Sequence, residues 1–173
     1  MTDNKEFDAL FLWNQRRVED VRFWCEPELS NKAIEKIAIN FDVNNIDGFV
    51  ALEARGFFLA GMATQLYKKP SLVIRKHKNF YDKMEHKKIE FFNWKNEKEA
   101  LTILKNTIPK GKNFLIVDDI IDTGASLRAS NELMKRLDLN LAGAFYLLNS
   151  IGEEGTSQFD FPIKSLLTRK LFT

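Results

Sequence analysis

An α/β fold, a central and mainly parallel sheet flanked by helices, is what this sequence predicts, on three observations. Short apolar runs bounded by turn residues alternate with segments of helical periodicity. Several runs are apolar throughout, as strands buried on both faces are. The chain of 173 residues suffices for one hydrophobic core but not for two generous domains.

Taken in order, Ser30 can cap a helix over 31 to 42, where Ala33, Ile34, Ile37, Ala38 and Phe41 recur at helical spacing. "DGFVAL" (47 to 52) reads as a buried strand, and "GFFLAGMATQLYK" after it as a helix with small residues for close packing. "PSLVIRK" (70 to 76) is a second buried strand, opened by Pro70 where a missing donor is tolerated. Residues 77 to 96 mix charges and aromatics without sustained period and read as a long mobile excursion. "NEKEALTILKNTI" is open between helix, which its composition favours, and strand, which pairing could impose. "KGKNFLIVDD" is a strand after a Lys-Gly turn, "ASLRASNELMKRL" a helix and "NLAGAFYLLNS" (140 to 150) a further strand.

Composition removes several function classes. Lys and Arg number 26 against 24 Asp and Glu, a net charge of +2, so the chain is not built to coat nucleic acid. Cys25 is the single cysteine and excludes an intramolecular disulfide, while the opening "MTDNKEFDALFLWNQRR" is charged throughout and unlike a signal peptide. No apolar run approaches the roughly 20 residues a membrane span needs. A cytoplasmic protein without membrane or nucleic-acid partner is expected, and its 15 Phe are expected in the core.

In parallel sheets ligands sit outside the carboxyl ends of strands, which directs attention to the loops after residues 52, 76 and 118. The third lies in "NFLIVDDIIDTGASLRASNELM" (113 to 134), where Asp118 and Asp119 end an apolar run and Asp122 follows. Backbone N–H groups at a turn entering a helix form an anion site, Gly124 permits close approach, and Thr123 and Ser126 add hydroxyls. The segment lacks the Gly-Lys-Ser/Thr ending of a nucleotide P-loop. Asp118 and Asp119 suit sugar hydroxyls, and Mg²⁺ held through water.

"FLIVDDIIDTGAS" resembles the phosphoribosyl pyrophosphate (PRPP) motif of the type I phosphoribosyltransferases. The resemblance implies ribose hydroxyls at Asp118 and Asp119 and the 5′-phosphate on the turn Asp122, Thr123, Gly124, Ala125 and Ser126. "VALEARGFFLAG" (50 to 61) is similar to the pyrophosphate loop of the adenine-specific branch, implying PRPP contacts from Glu53, Ala54, Arg55 and Gly56, with Arg55 foremost. "VIRKHK" (73 to 78) matches the strand end from which the family's flexible loop departs, so that Arg75, Lys76 and Lys78 would neutralise pyrophosphate. "FDFPIKSLL" resembles the family's C-terminal hood strand. The implied architecture is one domain with a core over about 30 to 148, a hood from about 1 to 29 and 149 to 173, and a mobile loop over 77 to 96. The implied partners are PRPP, a purine base, Mg²⁺ and a second copy in a homodimer.

The branch is less uniform. "VEDVRFWCEP" keeps Phe23 but has Trp24 and Cys25 where the family has Arg and Asp; Phe23 or Trp24 is the candidate to stack on the base. "FFNWK" puts Asn93 where the family's loop has Glu, and Trp94 at the following Tyr. Asp122 matches hypoxanthine-guanine enzymes, in which it faces a 6-oxopurine, and is a candidate for proton transfer. The reading is therefore purine phosphoribosyl transfer, adenine first, with Asp118, Asp119, Asp122 and Arg55 carrying the chemistry. The alternatives are a hypoxanthine, guanine or xanthine enzyme and a non-catalytic PRPP-sensing regulator.

Overall fold

A computed structural model describes residues 5–8, 11–14, 17–19, 21–77, 83–93, 95–109 and 111–170. The N-terminal segment forms helix α1 (Lys5–Asp8), antiparallel strands β1 (Leu12–Asn14) and β2 (Arg17–Glu19), and helix α2 (Val21–Cys25). Phe7, Phe11 and Phe23 tie this unit into the core, all buried. Helix α3 (Pro27–Asn40) starts a turn before the expected Ser30 cap, with Pro27 in its first turn, where the ring's fixed φ suits a helix start. Ser30 is instead buried within the helix and donates its hydroxyl to the Phe23 carbonyl.

Then come β3 (Gly48–Leu52), α4 (Gly56–Tyr67), β4 (Ser71–Lys76), β5 (His86–Phe92), β6 (Lys98–Leu104), β7 (Asn113–Ile121), α5 (Ala125–Lys135), β8 (Asn140–Asn149), α6 (Gly152–Thr156) and β9 (Ile163–Thr168). The seven strands from β3 onward form one sheet in the order β5-β6-β4-β3-β7-β8-β9. Pairing is parallel from β4 through β9 and antiparallel at β4–β6 and β5–β6.

Phe114 to Val117 at the centre of β7 are all fully buried, each contributing roughly 1.5–3 kcal/mol by leaving water. Leu115 and Val117 join one core cluster with Ile34, Leu59 and Phe145, while Phe114 and Ile116 join another with Ile74, Leu133 and Tyr146. The alternation puts one cluster on each sheet face. Asp47 aligns the entries of β3 and β7: its Oδ2 accepts from the N–H groups of Lys112 (2.7 Å) and Asn113 (2.8 Å). Those bonds hold its carboxyl below the ordinary range.

Two expectations change and one open assignment resolves. Within the 77 to 96 excursion, residues 86–92 form β5, paired with β6 from His86↔Leu104 to Phe92↔Lys98. Its period-2 signal is carried by Ile89 and Phe91 alone, which pack on the core between exposed charges. "NEKEALTILKNTI" resolves to strand, since Leu101 and Ile103 fill the core and pairing outweighs helix propensity. "FDFPIKSLL", expected in a hood, supplies β9, which extends the main sheet parallel to β8. Among the described residues no helix is long and apolar enough to cross a membrane.

Candidate active site

The parallel strands deliver the carboxyl ends of β3, β4 and β7 side by side. β7 does not stop at its aspartates: pairing with β8 continues to Ile121↔Asn149, so Asp118 and Asp119 lie within the strand and Asp118 stands opposite Tyr146. The chain then turns through Asp122, Thr123 and Gly124 into α5. Gly124 caps that helix at φ 73°, a left-handed conformation suited to glycine, and a Cβ there would lie 2.9 Å from the Phe159 ring. Arg128 braces the turn from behind, donating to the Thr123 carbonyl at 2.9 Å while lying over Phe159. Ala125 N–H reaches Thr123 Oγ1 at 3.3 Å. The turn and the start of α5 line a pocket of about 140 Å³ together with Asp118, Asp122 and Tyr146, and with Lys76, Asn93 and Glu99.

The acidic groups differ in environment. Burial, and then the charge of Asp119, push the Asp118 carboxyl well above its usual range, with Arg55 pulling the other way. Asp119 is paired with Arg55, Nη1 to Oδ2 at 3.1 Å. Gly56 is what lets α4 approach: a Cβ there would lie 2.8 Å from Asp118 Oδ1 and 3.2 Å from the Val117 carbonyl. Asp122 is raised by burial, partly offset by Ser150. Its Oδ1 is buried and has no hydrogen-bond partner among the described residues, a state costing about 1–3 kcal/mol unless a ligand donor meets it. Burial, Asp118 and Asp119 also push Tyr146 well above the usual phenol range, so its hydroxyl keeps its proton.

The turn 53 to 55, with a cis Glu53–Ala54 peptide, ties β3 to β4. Glu53 Oε2 accepts from the Lys76 N–H at 2.9 Å and stands 3.5 Å from Arg75 Nε. Ala54 is exposed and Arg55 half-buried. Neighbouring residues of a strand face opposite ways, and this divides the cations of β4. Lys76 lines the pocket, whereas Arg75 lines a separate groove with Val73, Met84 and Leu104. The structure therefore does not bring Arg75 to the pocket with Lys76. Lys78 and Trp94 lie outside the described residues.

The aromatic candidates for base stacking are not in the pocket. Phe23 has no exposed surface, because α2 turns its ring into the core; Trp24 is half-buried and packs edge-on against Phe23 and tilted against Phe58. Asn93 does line the pocket, but its amide organises the β5–β6 turn. Its Oδ1 accepts from the N–H groups of Lys95 (2.9 Å) and Glu97 (3.0 Å), and its Nδ2 donates to Glu99 (2.9 Å) and Glu97 (3.2 Å). A glutamate could accept those bonds but not donate the last two.

Tyr146, Glu99 and Arg128 are the pocket or bracing residues that the sequence did not disclose. Tyr146 looked like one more apolar strand residue until the β7–β8 register set it opposite Asp118. Glu99 sat in a segment whose element type was open, and no motif marks Arg128.

Comparison with known proteins gives a consistent result. The family described as phosphoribosyl transferase domain matches residues 27–167. Adenine phosphoribosyltransferase 1 of Saccharomyces cerevisiae is 32% identical over 151 residues, 82% of this chain and 76% of that protein. An adenine phosphoribosyltransferase of Prochlorococcus marinus is 27% identical over 145 residues, 84% of this chain and 83% of its own length. Among solved structures, the S. cerevisiae adenine phosphoribosyltransferase, complexed with an imino-altritol bisphosphate and adenine, superposes with a TM-score of 0.82 at 25% identity, covering 95% of this chain and 98% of that one. The Giardia lamblia enzyme, complexed with 9-deazaadenine, superposes at 0.84 with 17% identity over 98% of this chain and 99% of its own, a likeness of fold.

Proposed function

This chain belongs to the phosphoribosyltransferase family, and from that premise we propose that it joins adenine to the C1′ carbon of PRPP, giving AMP and pyrophosphate. The observation that carries the reading is the continuity of β7 into the α5 turn, which sets two acidic side chains directly beside a phosphate cradle. The names of the relatives support adenine as the base. The chain is an enzyme of this family, and the PRPP-sensing regulator is set aside.

The backbone N–H groups at the start of α5, with Thr123 and Ser126, hold the 5′-phosphate, and Asp118 and Asp119 accept from the ribose hydroxyls. Anchoring both ends turns a two-substrate encounter into an oriented one, worth up to roughly 7–11 kcal/mol. As the C1′–O bond breaks, negative charge grows on the leaving pyrophosphate, and Arg55 and Lys76 offset it. Asp122, whose ionisation is opposed by burial, presents its carboxyl to the base's imidazole edge. Two adjacent carboxylates, one with ionisation opposed by burial, fit a hydrated cation shared with a substrate's phosphates. Mg²⁺ held there through water by Asp118 and Asp119 would neutralise part of the pyrophosphate charge.

A second reading, transfer to a 6-oxopurine, is favoured by the unpaired Asp122 oxygen, which suits a base N–H donor. The test is incubation with Mg²⁺, PRPP and adenine, hypoxanthine, guanine or xanthine separately, with each monophosphate quantified. AMP as the main product is expected; IMP, GMP or XMP in its place would move the assignment to the second reading. We also propose a cytoplasmic homodimer, supported by the lone Cys25 and by exposed apolar Phe58 and Leu66 on α4 and Val73 on β4.

A further inference from the structure

Lys76, the one β4 cation that faces the pocket, is already engaged there. Its Nζ stands 3.5 Å from Glu99 Oε2, with the two side chains only 37% and 25% exposed. Glu99 Oε1 is in turn fixed by Asn93 Nδ2 at 2.9 Å, and Asn93 is locked by its own turn. Lys76, Asn93 and Glu99 share the pocket with the phosphate turn of α5. The hairpin therefore places a carboxylate, bound to Lys76 and Asn93, in the lining of the same cavity as a turn suited to an anion. We propose that Glu99 is an affinity-setting residue: it competes with the ligand's anionic groups for Lys76, Asn93 holds it in place to do so, and PRPP binds only by displacing it. This rests on the PRPP reading above. Two negative groups sharing one half-buried cation cannot both be fully compensated, so the enzyme's affinity is lower than its cations alone would give.

The chemistry predicts a gain. Glu99→Gln keeps an oxygen for the Asn93 donor and removes the charge, so the hairpin stays closed while Lys76 is released. Calorimetric titration with PRPP and Mg²⁺ should show about tenfold tighter binding than wild type, the scale of one relieved charge contact in a partly screened site. A merely structural residue would give unchanged or weaker binding, and that result overturns the proposal. Glu97→Gln is the control: Glu97 also accepts from Asn93 Nδ2, at 3.2 Å, and shares a neighbouring groove with Lys76 and Glu99, but does not line the phosphate pocket. An equal gain from it would overturn the assignment to Glu99. On a Lys76→Met background the Glu99→Gln gain should vanish or shrink, and an undiminished gain contradicts competition for Lys76. Should Glu99→Gln fail to fold, Glu99→Ser carries the same expectation. Absence of PRPP binding by wild type would overturn the PRPP reading itself, and this inference with it; binding by wild type without a gain in the variant overturns this inference alone.

Discussion

The pocket has two walls made in different ways. On one side β7, β8 and the α5 turn form a wall set in the parallel sheet, where Phe114 to Val117 have no exposed surface and the turn is braced by Arg128. Asn93 and Glu99 of the other come from the β5–β6 hairpin at the sheet's edge, which is tied by its backbone ladder and by Leu101 and Ile103 in the core. The hairpin also carries ion pairs and one amide: Lys98 and Lys88 on Glu90, Lys76 on Glu99, and Asn93 across the turn. Exposed ion pairs each contribute little, typically 0–1 kcal/mol, and β5, the terminal strand, is paired on one side only whereas β7 is paired on both, so the hairpin opens at lower cost than the β7–β8 wall. A rigid cradle facing an adjustable cover suits a site that must admit a charged substrate and then exclude water.

The largest expected effect tests the rigid wall. Asp118→Asn with Asp119→Asn should cost roughly 100-fold or more in turnover by removing the proposed ribose acceptors, with the circular dichroism of the wild type retained. The single change Asp118→Asn should stabilise. The folded-state pKa of Asp118 lies above its unfolded value, so its ionisation weakens the fold as pH rises above the ordinary carboxylate range near ~4. The variant's Tm should exceed wild type at pH 7 to 8 and converge with it toward pH ~4; a lower Tm at neutral pH would contradict the burial argument. Next is Gly56→Ala, whose methyl would meet Asp118 and the Val117 carbonyl; about 1–3 kcal/mol of destabilisation is expected in urea titration.

The same contrast governs what could be read in advance. The parallel half announces itself, since strands buried on both faces are apolar throughout and the α5 turn needs its glycine. The hairpin half shows Ile89 and Phe91 among charges, and only pairing with β6 makes a strand of them. Asp118, Asp119 and the turn 122 to 126 were legible because their spacing lies along one strand and loop. Tyr146, Glu99 and the division between Arg75 and Lys76 depend on register and on which face a side chain takes, which are properties of the assembled sheet. Phe23 does not show its ring to the pocket for a local reason: residues 21–25 are helical, and the ring is buried in the core.

Smaller effects sharpen the account of the adjustable wall. Asn93→Ala should cost about 1 kcal/mol locally, seen as faster hydrogen exchange at β5 and β6 amides with β7 and β8 unchanged. Equal acceleration in both pairs would mean that the walls are not independent. Smallest is Asp47→Asn, away from the pocket. The Asp47 folded pKa is depressed, so its contribution is present above the unfolded value near ~4 and is lost as pH falls through the folded one. The variant should melt below wild type at pH 6, and the gap should close in acid; a gap constant with pH would contradict it.

The most direct test of the central claim is a crystal structure of the protein with PRPP and Mg²⁺. The 5′-phosphate is predicted on the backbone N–H groups at the start of α5, beside Thr123 and Ser126, with the ribose hydroxyls on Asp118 and Asp119. A phosphate bound instead along Lys88 and Lys98 of the hairpin, with the α5 turn left empty, would contradict it.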